Sequence, residues 1–397
     1  MVKKGKVDCT PQEVDYDESR VDALNKHFQA LIDEKSIHCA TYCVSRYGKI
    51  FMHGAVGNKT YKKEENIPAT PDCIHYIASI TKLFTTVAIM QLIEDGIICL
   101  NTPVGQILPQ LDTPPFKYIT FFHLLTHTSG MHADHGCYEN KYQTSYWRNI
   151  DIAYQNHKPE DGEFDWISAA FTTTGSGLMV PPDTEWNYCS FGFVLLGAVI
   201  EKISGMSYKQ YFSEKILDPL QMKDTVHDLT PDMAKRFILS SEHMEERIND
   251  VLNGNTKEDP LWDKIPGTAS GLNSTSYDLN RFGNMMLAGG RLDGARILGR
   301  KTVEKITTLA IHDKPDSCWG ARTKDRGYGI GFDMRNDFLF TYTPGVTYMH
   351  EGSGISAVYV DPKEEMVAAW IAPYVSLGGF IQEASFNVQN VIWSGII

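Results

Sequence analysis

Residues 79–96, SITKLFTTVAIMQLIEDG, read as a helix that is apolar nearly all round. A helix without a polar face cannot lie on a surface, so other layers must wrap it. The chain has to build its core around this segment, and Gly96 marks its end. At its head, Ser79 and Lys82 stand three apart. Either Ser79 caps the helix and Lys82 is a surface charge, or the two are a nucleophile and its base.

The rest of the pattern says what does the wrapping. RVDALNKHFQALIDEK (20–35) carries Val21, Leu24, Phe28, Leu31 and Ile32 at helical spacing. CATYCVSRYGKIFMHGAVG (39–57) reads as strand, turn at Tyr47-Gly48-Lys49, strand. Residues 115–270 are mostly helices and long loops, including a second buried helix, FGFVLLGAVIEKISG (191–205). A third helix is expected in YDLNRFGNMMLAGG (277–290). YMHEGSGISAVYVDPKEEMVAAWIAP (348–373) reads as three strands, and a last helix closes the chain. The expected fold is α/β: one antiparallel sheet drawn from both ends (19–74 and 275–397), flanked by helices, with a mainly helical part at 75–274. Residues 1–18 are polar and expected to form a loose tail before a single domain at 19–390. The crevice between sheet and helical part is the natural site.

Charge excludes some function classes. Net charge is -12 and no long basic run occurs, which disfavours nucleic acid and anionic membrane as partners. No stretch reaches the roughly 18 apolar residues of a membrane span. The N-terminus lacks a signal-peptide core, so the cytoplasm is the expected location. The eight cysteines form no CxxC pair and read as reduced thiols. No cofactor is expected, and oligomeric state is not legible.

Three elements carry chemistry. Ser79-Ile80-Thr81-Lys82 is the only S-x-x-K in the chain, and on a helix Lys82 can reach the Ser79 hydroxyl. Lysine acts as a base only when burial lowers its pKa, and this apolar helix supplies burial. In VPPDTEWNYCSFGFVLLG, Tyr188 precedes a buried helix; it is either a general base or a core aromatic. In HEGSGISAVYV, His350 precedes Gly352, Ser353 and Gly354, small residues that let a substrate approach. The N–H groups of Ser79 and Ser353 could form an oxyanion hole. The same segment also reads as a sheet-edge bulge with a satisfied histidine.

In this order the elements resemble the serine β-lactamase-like superfamily, in the branch of class C β-lactamases, family VIII carboxylesterases, D,D-peptidases and transesterases. HLLTHTSGM (123–131), YKQYFSEKILDPLQMKDT (208–225), GLNSTSYDLNRFGNMMLAGG (271–290) and GYGIGF (327–332) resemble further segments of that family. The resemblance runs from about residue 20 to 385. It implies Ser79 as nucleophile, Lys82 as its base or the proton relay to it, and Tyr188 as second base that protonates the leaving group. His350 would replace the family's lysine and hold Tyr188 or a substrate oxygen. Ser190 stands where the family often has Asn, and with Gly352 and Gly354 it would contact substrate. The Ser190 and His350 departures point to an esterase or transesterase on small esters. The alternatives are a β-lactamase, D,D-peptidase or D-amino-acid amidase, or a low-turnover penicillin-binding sensor.

Residues 130–157 are aromatic and irregular. Tyr138 and Trp147 are expected to line an acyl or alcohol pocket, or else the loop packs its own aromatics. His127 lies in a family segment and reads as structural. His132, Asp134 and His135 are metal-capable residues clustered on one loop, which is a weak signal, and no metal is expected.

Overall fold

The computed structural model describes residues 2–397 apart from 135–145, 159, 161, 172–176, 257, 319–322, 336–341, 353, 355 and 374–381. Lys3–Lys4 (β1), Cys39–Arg46 (β2), Lys49–Gly57 (β3), Tyr348–Glu351 (β4), Ala357–Asp361 (β5) and Met366–Ile371 (β6) form one antiparallel sheet. Their order is β1-β3-β2-β6-β5-β4. Opposite ends of the chain thus meet at the centre, with Thr41 opposite Ile371 and Arg46 opposite Met366.

Every residue of β2 and β6 is buried, so layers cover both faces of the sheet. Side chains alternate between those layers. Ala40, Tyr42, Val44, Met366, Ala368 and Trp370 enter one core, and Cys39, Val367, Ala369 and Ile371 the other. The β2–β3 hairpin turns through Tyr47 (φ 53) and Gly48 (φ 73), the paired positive φ of a tight primed turn.

The helices that matter here are Ser19–Asp33 (α1), Thr81–Glu94 (α2), Ser190–Ser204 (α3), Ser276–Leu287 (α4) and Gln382–Trp393 (α5). α1 and α5 pack together over the first core, and α4 covers β2, β5 and β6 on the other face. α2 is buried from Thr81 to Met90 and packs on α3. Among the described residues, no single helix is long and apolar enough to cross a membrane.

The N-terminal segment differs from the expected loose tail. β1 pairs with β3, and Val14 and Tyr16 are fully buried. The Tyr16 hydroxyl donates to the Ile392 carbonyl at 2.8 Å. Arg46 donates to the carbonyls of Val14 (3.0 Å) and Asp15 (2.6 Å). A polar run hid two apolar anchors and a set of backbone acceptors that Arg46 and, at Asp15, the Ile397 N–H use.

Candidate active site

Ser79 lies in a 3-10 turn, Ala78–Ile80, immediately before α2, rather than in the α-helix itself. Ala78 has φ 46, a left-handed conformation that costs energy for a residue with a Cβ. The turn leaves Ser79 half-buried at the head of a buried helix. The Lys82 ammonium donates to Ser79 Oγ at 3.0 Å and to the Ala269 carbonyl at 2.9 Å.

Lys82 is fully buried. Burial lowers its pKa to about 8, while the Asp134 charge and the Cys189 thiol pull it back upward. Desolvation penalises the ammonium, so the neutral amine is accessible near neutral pH. The loop 268–272 holds this geometry against α2. Thr85 donates to the Thr268 carbonyl at 2.6 Å, and Leu272 N–H donates to Thr81 Oγ1 at 3.1 Å.

Tyr188 is buried, and the centre of its ring lies 4.8 Å from Lys82 Nζ. Its backbone is held from both sides by the segment after the short helix Phe121–Leu125. Asn187 N–H donates to the His127 carbonyl at 2.7 Å, and Cys189 N–H donates to His127 Nδ1 at 3.1 Å. Asp134 N–H donates to the Tyr188 carbonyl at 2.8 Å. The His127 and Tyr188 rings pack 4.4 Å apart.

His350, on β4, lies with its ring centre 6.3 Å from that of Tyr188. Its Nδ1 donates to the Glu351 carbonyl at 2.7 Å, so a neutral ring offers Nε2 as an acceptor. Burial, first, and the Lys82 charge, second, lower its pKa to about 4. It is therefore uncharged near neutral pH and can accept from a phenol. It cannot hold a carboxylate as a lysine would.

Gly352 follows β4 and crosses the Ser79 turn closely. A Cβ there would sit 2.6 Å from the Ile77 carbonyl oxygen. Gly354 has φ 100, which only glycine adopts readily. Ser353, expected to complete the oxyanion hole, and Tyr138 lie outside the described residues.

Ser190 begins α3 with both of its donors on one carboxylate. Its N–H donates to Asp134 Oδ1 at 2.8 Å, and its hydroxyl donates to Oδ2 at 2.5 Å. The Trp147 ring packs edge-on against Phe191 at 5.3 Å and lies 5.8 Å from Trp262. His132 packs against Tyr146. Among the described residues, no group of His, Cys, Asp or Glu could hold a metal.

Three contributors escaped the sequence reading. The Ala269 carbonyl has no side-chain signature. The Tyr188 clamp of His127 joins residues far apart in the chain. Asp134 was weighed only as a metal ligand; its place beside the THTSG segment was the one available signal.

A beta-lactamase family model matches residues 24–375. The chain belongs to the beta-lactamase family. This family member is 27% identical over 315 residues to penicillin-binding protein 4 of Amycolatopsis lactamdurans, a match covering 76% of the chain and 73% of that protein. It is 30% identical over 228 residues to the lovastatin esterase of Penicillium rubens, covering 51% of the chain and 52%, about half, of that relative. A penicillin-binding protein homologue from Caulobacter crescentus superposes with a TM-score of 0.70 at 16% identity, covering 98% of this chain and 100% of that one. At that identity the likeness establishes the fold.

Proposed function

We propose that the chain is a serine hydrolase that forms an acyl-enzyme on Ser79 and acts on small esters, as a carboxylesterase or transesterase. The observation that carries this reading is the 3.0 Å contact from a fully buried Lys82 to Ser79 Oγ, beneath the Tyr188 ring.

Neutral Lys82 takes the Ser79 hydroxyl proton as Oγ bonds to the ester carbonyl carbon. The oxyanion develops near the Ser79 N–H, at the positive end of α2. As the carbonyl reforms, the carbon–alkoxide bond breaks and the proton passes through Tyr188 to the departing oxygen. Water or an alcohol then attacks the acyl-enzyme, its proton going back along the same path to Ser79 Oγ. His350, an acceptor through Nε2, orients the Tyr188 hydroxyl.

Two features favour an ester over a β-lactam. His350 supplies no fixed positive charge for a substrate carboxylate. Ser190 is engaged by Asp134, so its side chain is not an amide ready for an acylamino group. The esterase relative supports the same choice, while the penicillin-binding relative supports a β-lactam- or D-alanyl-peptide-recognising alternative. A fluorophosphonate probe should label the wild type and not Ser79→Ala; labelling that persists in the variant ends the assignment. A panel of p-nitrophenyl esters, nitrocefin and a D-alanyl-D-alanine peptide separates the alternatives. Acylation without turnover would instead indicate a sensor.

A further inference from the structure

Asp134 is built into the site by hydrogen bonds to both residues that flank Cys189. It sits just past the THTSG segment, yet its two carboxylate oxygens take the N–H and the hydroxyl of Ser190. Its own N–H holds the Tyr188 carbonyl at 2.8 Å. One residue thus ties the backbone before and after Cys189, and with it the ring lying 4.8 Å from Lys82 Nζ. The carboxylate is only half-buried, so its field reaches the cleft.

Of the cations around this centre, the Lys82 ammonium is held on Ser79 Oγ and the Ala269 carbonyl, and Arg326 on other carboxylates, so neither pairs with Asp134 directly. Lys82 is surrounded by Ser79, Tyr188, Cys189, His127 and His350, with Asp134, Arg326 and Asp333 as the charged neighbours of the cluster. Arg326 is taken up by Asp333 at 2.7 Å and Asp316 at 3.8 Å, and its guanidinium lies over the Trp186 ring. His127 and His350 are held neutral, mainly by burial.

We propose that Asp134 positions Tyr188 over the Lys82 amine and sets the charge preference of the cleft, so that neutral or cationic acyl groups are accepted and carboxylate-bearing ones rejected. This rests on the acyl-enzyme reading and names the substrate class within it. Asp134 is a positioning and specificity residue; it acts through Ser190 and Tyr188 and through its field.

The test compares p-nitrophenyl butyrate with mono-p-nitrophenyl succinate, matched in length and differing in one carboxylate. Wild-type full chain should prefer the neutral ester. Asp134→Asn should raise the succinate-to-butyrate ratio of kcat/KM by about fivefold or more, because a like charge is removed at short range. It should also move the ascending limb of the kcat/KM profile to lower pH, since the Lys82 ammonium loses a stabilising anion. A merely structural role would move neither the ratio nor the limb. An unchanged ratio in a folded Asp134→Asn protein overturns the proposal. A measurement on wild type alone guards against misfolding: raising salt from 20 to 500 mM should weaken the preference, and a salt-independent ratio also overturns it. Ser79→Ala separates the layers. Ester turnover that survives it overturns the acyl-enzyme reading and this proposal together; an inactive Ser79→Ala beside an unchanged Asp134→Asn overturns this proposal alone.

Discussion

His127 Nδ1 accepts the backbone N–H of Cys189 at 3.1 Å. That bond fixes the tautomer of a buried neutral imidazole, whose remaining proton must then sit on Nε2. It also locks the peptide that follows Tyr188, while the His127 carbonyl locks the peptide before it. Truncation of this side chain removes both an acceptor and a packed ring. His127→Ala is expected to cost about 3 kcal/mol in urea unfolding, given a lost buried hydrogen bond and a cavity. Turnover should fall more than KM rises, because the misplaced group is Tyr188. Unchanged kcat in the folded variant would contradict the clamp.

Lys82 predicts the shape of the pH profile. Its pKa, lowered to about 8 chiefly by burial, means the neutral base grows in as pH rises through that value. The kcat/KM profile should climb with pH and level off above about pH 8. Lys82→Ala should lose about 10²-fold or more in kcat/KM and lose this limb. A flat profile between pH 6 and 9 in the wild type would rule out lysine as the titrating base.

Gly352 predicts a steric test. An added methyl would lie 2.6 Å from the Ile77 carbonyl oxygen, so β4 and the Ser79 turn would have to separate. Gly352→Ala should destabilise by about 1–3 kcal/mol, as overpacking does. Displacement of the turn by even a fraction of an ångström should lower kcat/KM by about tenfold or more. Fluorophosphonate labelling rates read this directly, and a wild-type rate would show that the turn absorbs the methyl.

Buried histidines predict acid sensitivity. His75, His227 and His350 have pKa values lowered to about 4, in each case mainly by burial. The unfolded chain protonates them near pH 6.5, so between these values it binds more protons than the folded chain. Stability is therefore lost as pH falls through that window. Asp278 works the other way: burial raises its pKa to about 6, so the folded chain takes up its proton first. These three imidazoles less one carboxyl leave about two protons, or about 3 kcal/mol per pH unit near pH 5, and buried His127 adds in the same direction. Urea midpoints at pH 7, 6 and 5 should decline steadily; a rise toward pH 5 would contradict the burial of these rings.

Much of the fold was legible because periodicity and turn chemistry act locally. The hairpin at Tyr47-Gly48, the glycine stop of the 191–205 helix and the three C-terminal strands all follow from neighbours in sequence. The N-terminal segment was not, since Tyr16 and Val14 find their burial against residues from the far end of the chain.

The sequence by itself determined that a serine and a lysine, one helical turn apart, head a helix with no surface to face. That follows from side-chain spacing, which is a property of the local backbone. Only the tertiary structure decided what surrounds them: the Ala269 carbonyl on the amine, the Tyr188 ring above it, and Asp134 closing on Ser190. Those partners come from distant segments, and the bond to Ala269 uses a backbone carbonyl common to every residue type. The depressed lysine pKa is a consequence of that enclosure, because desolvation depends on what is packed nearby and not on what comes next in the chain.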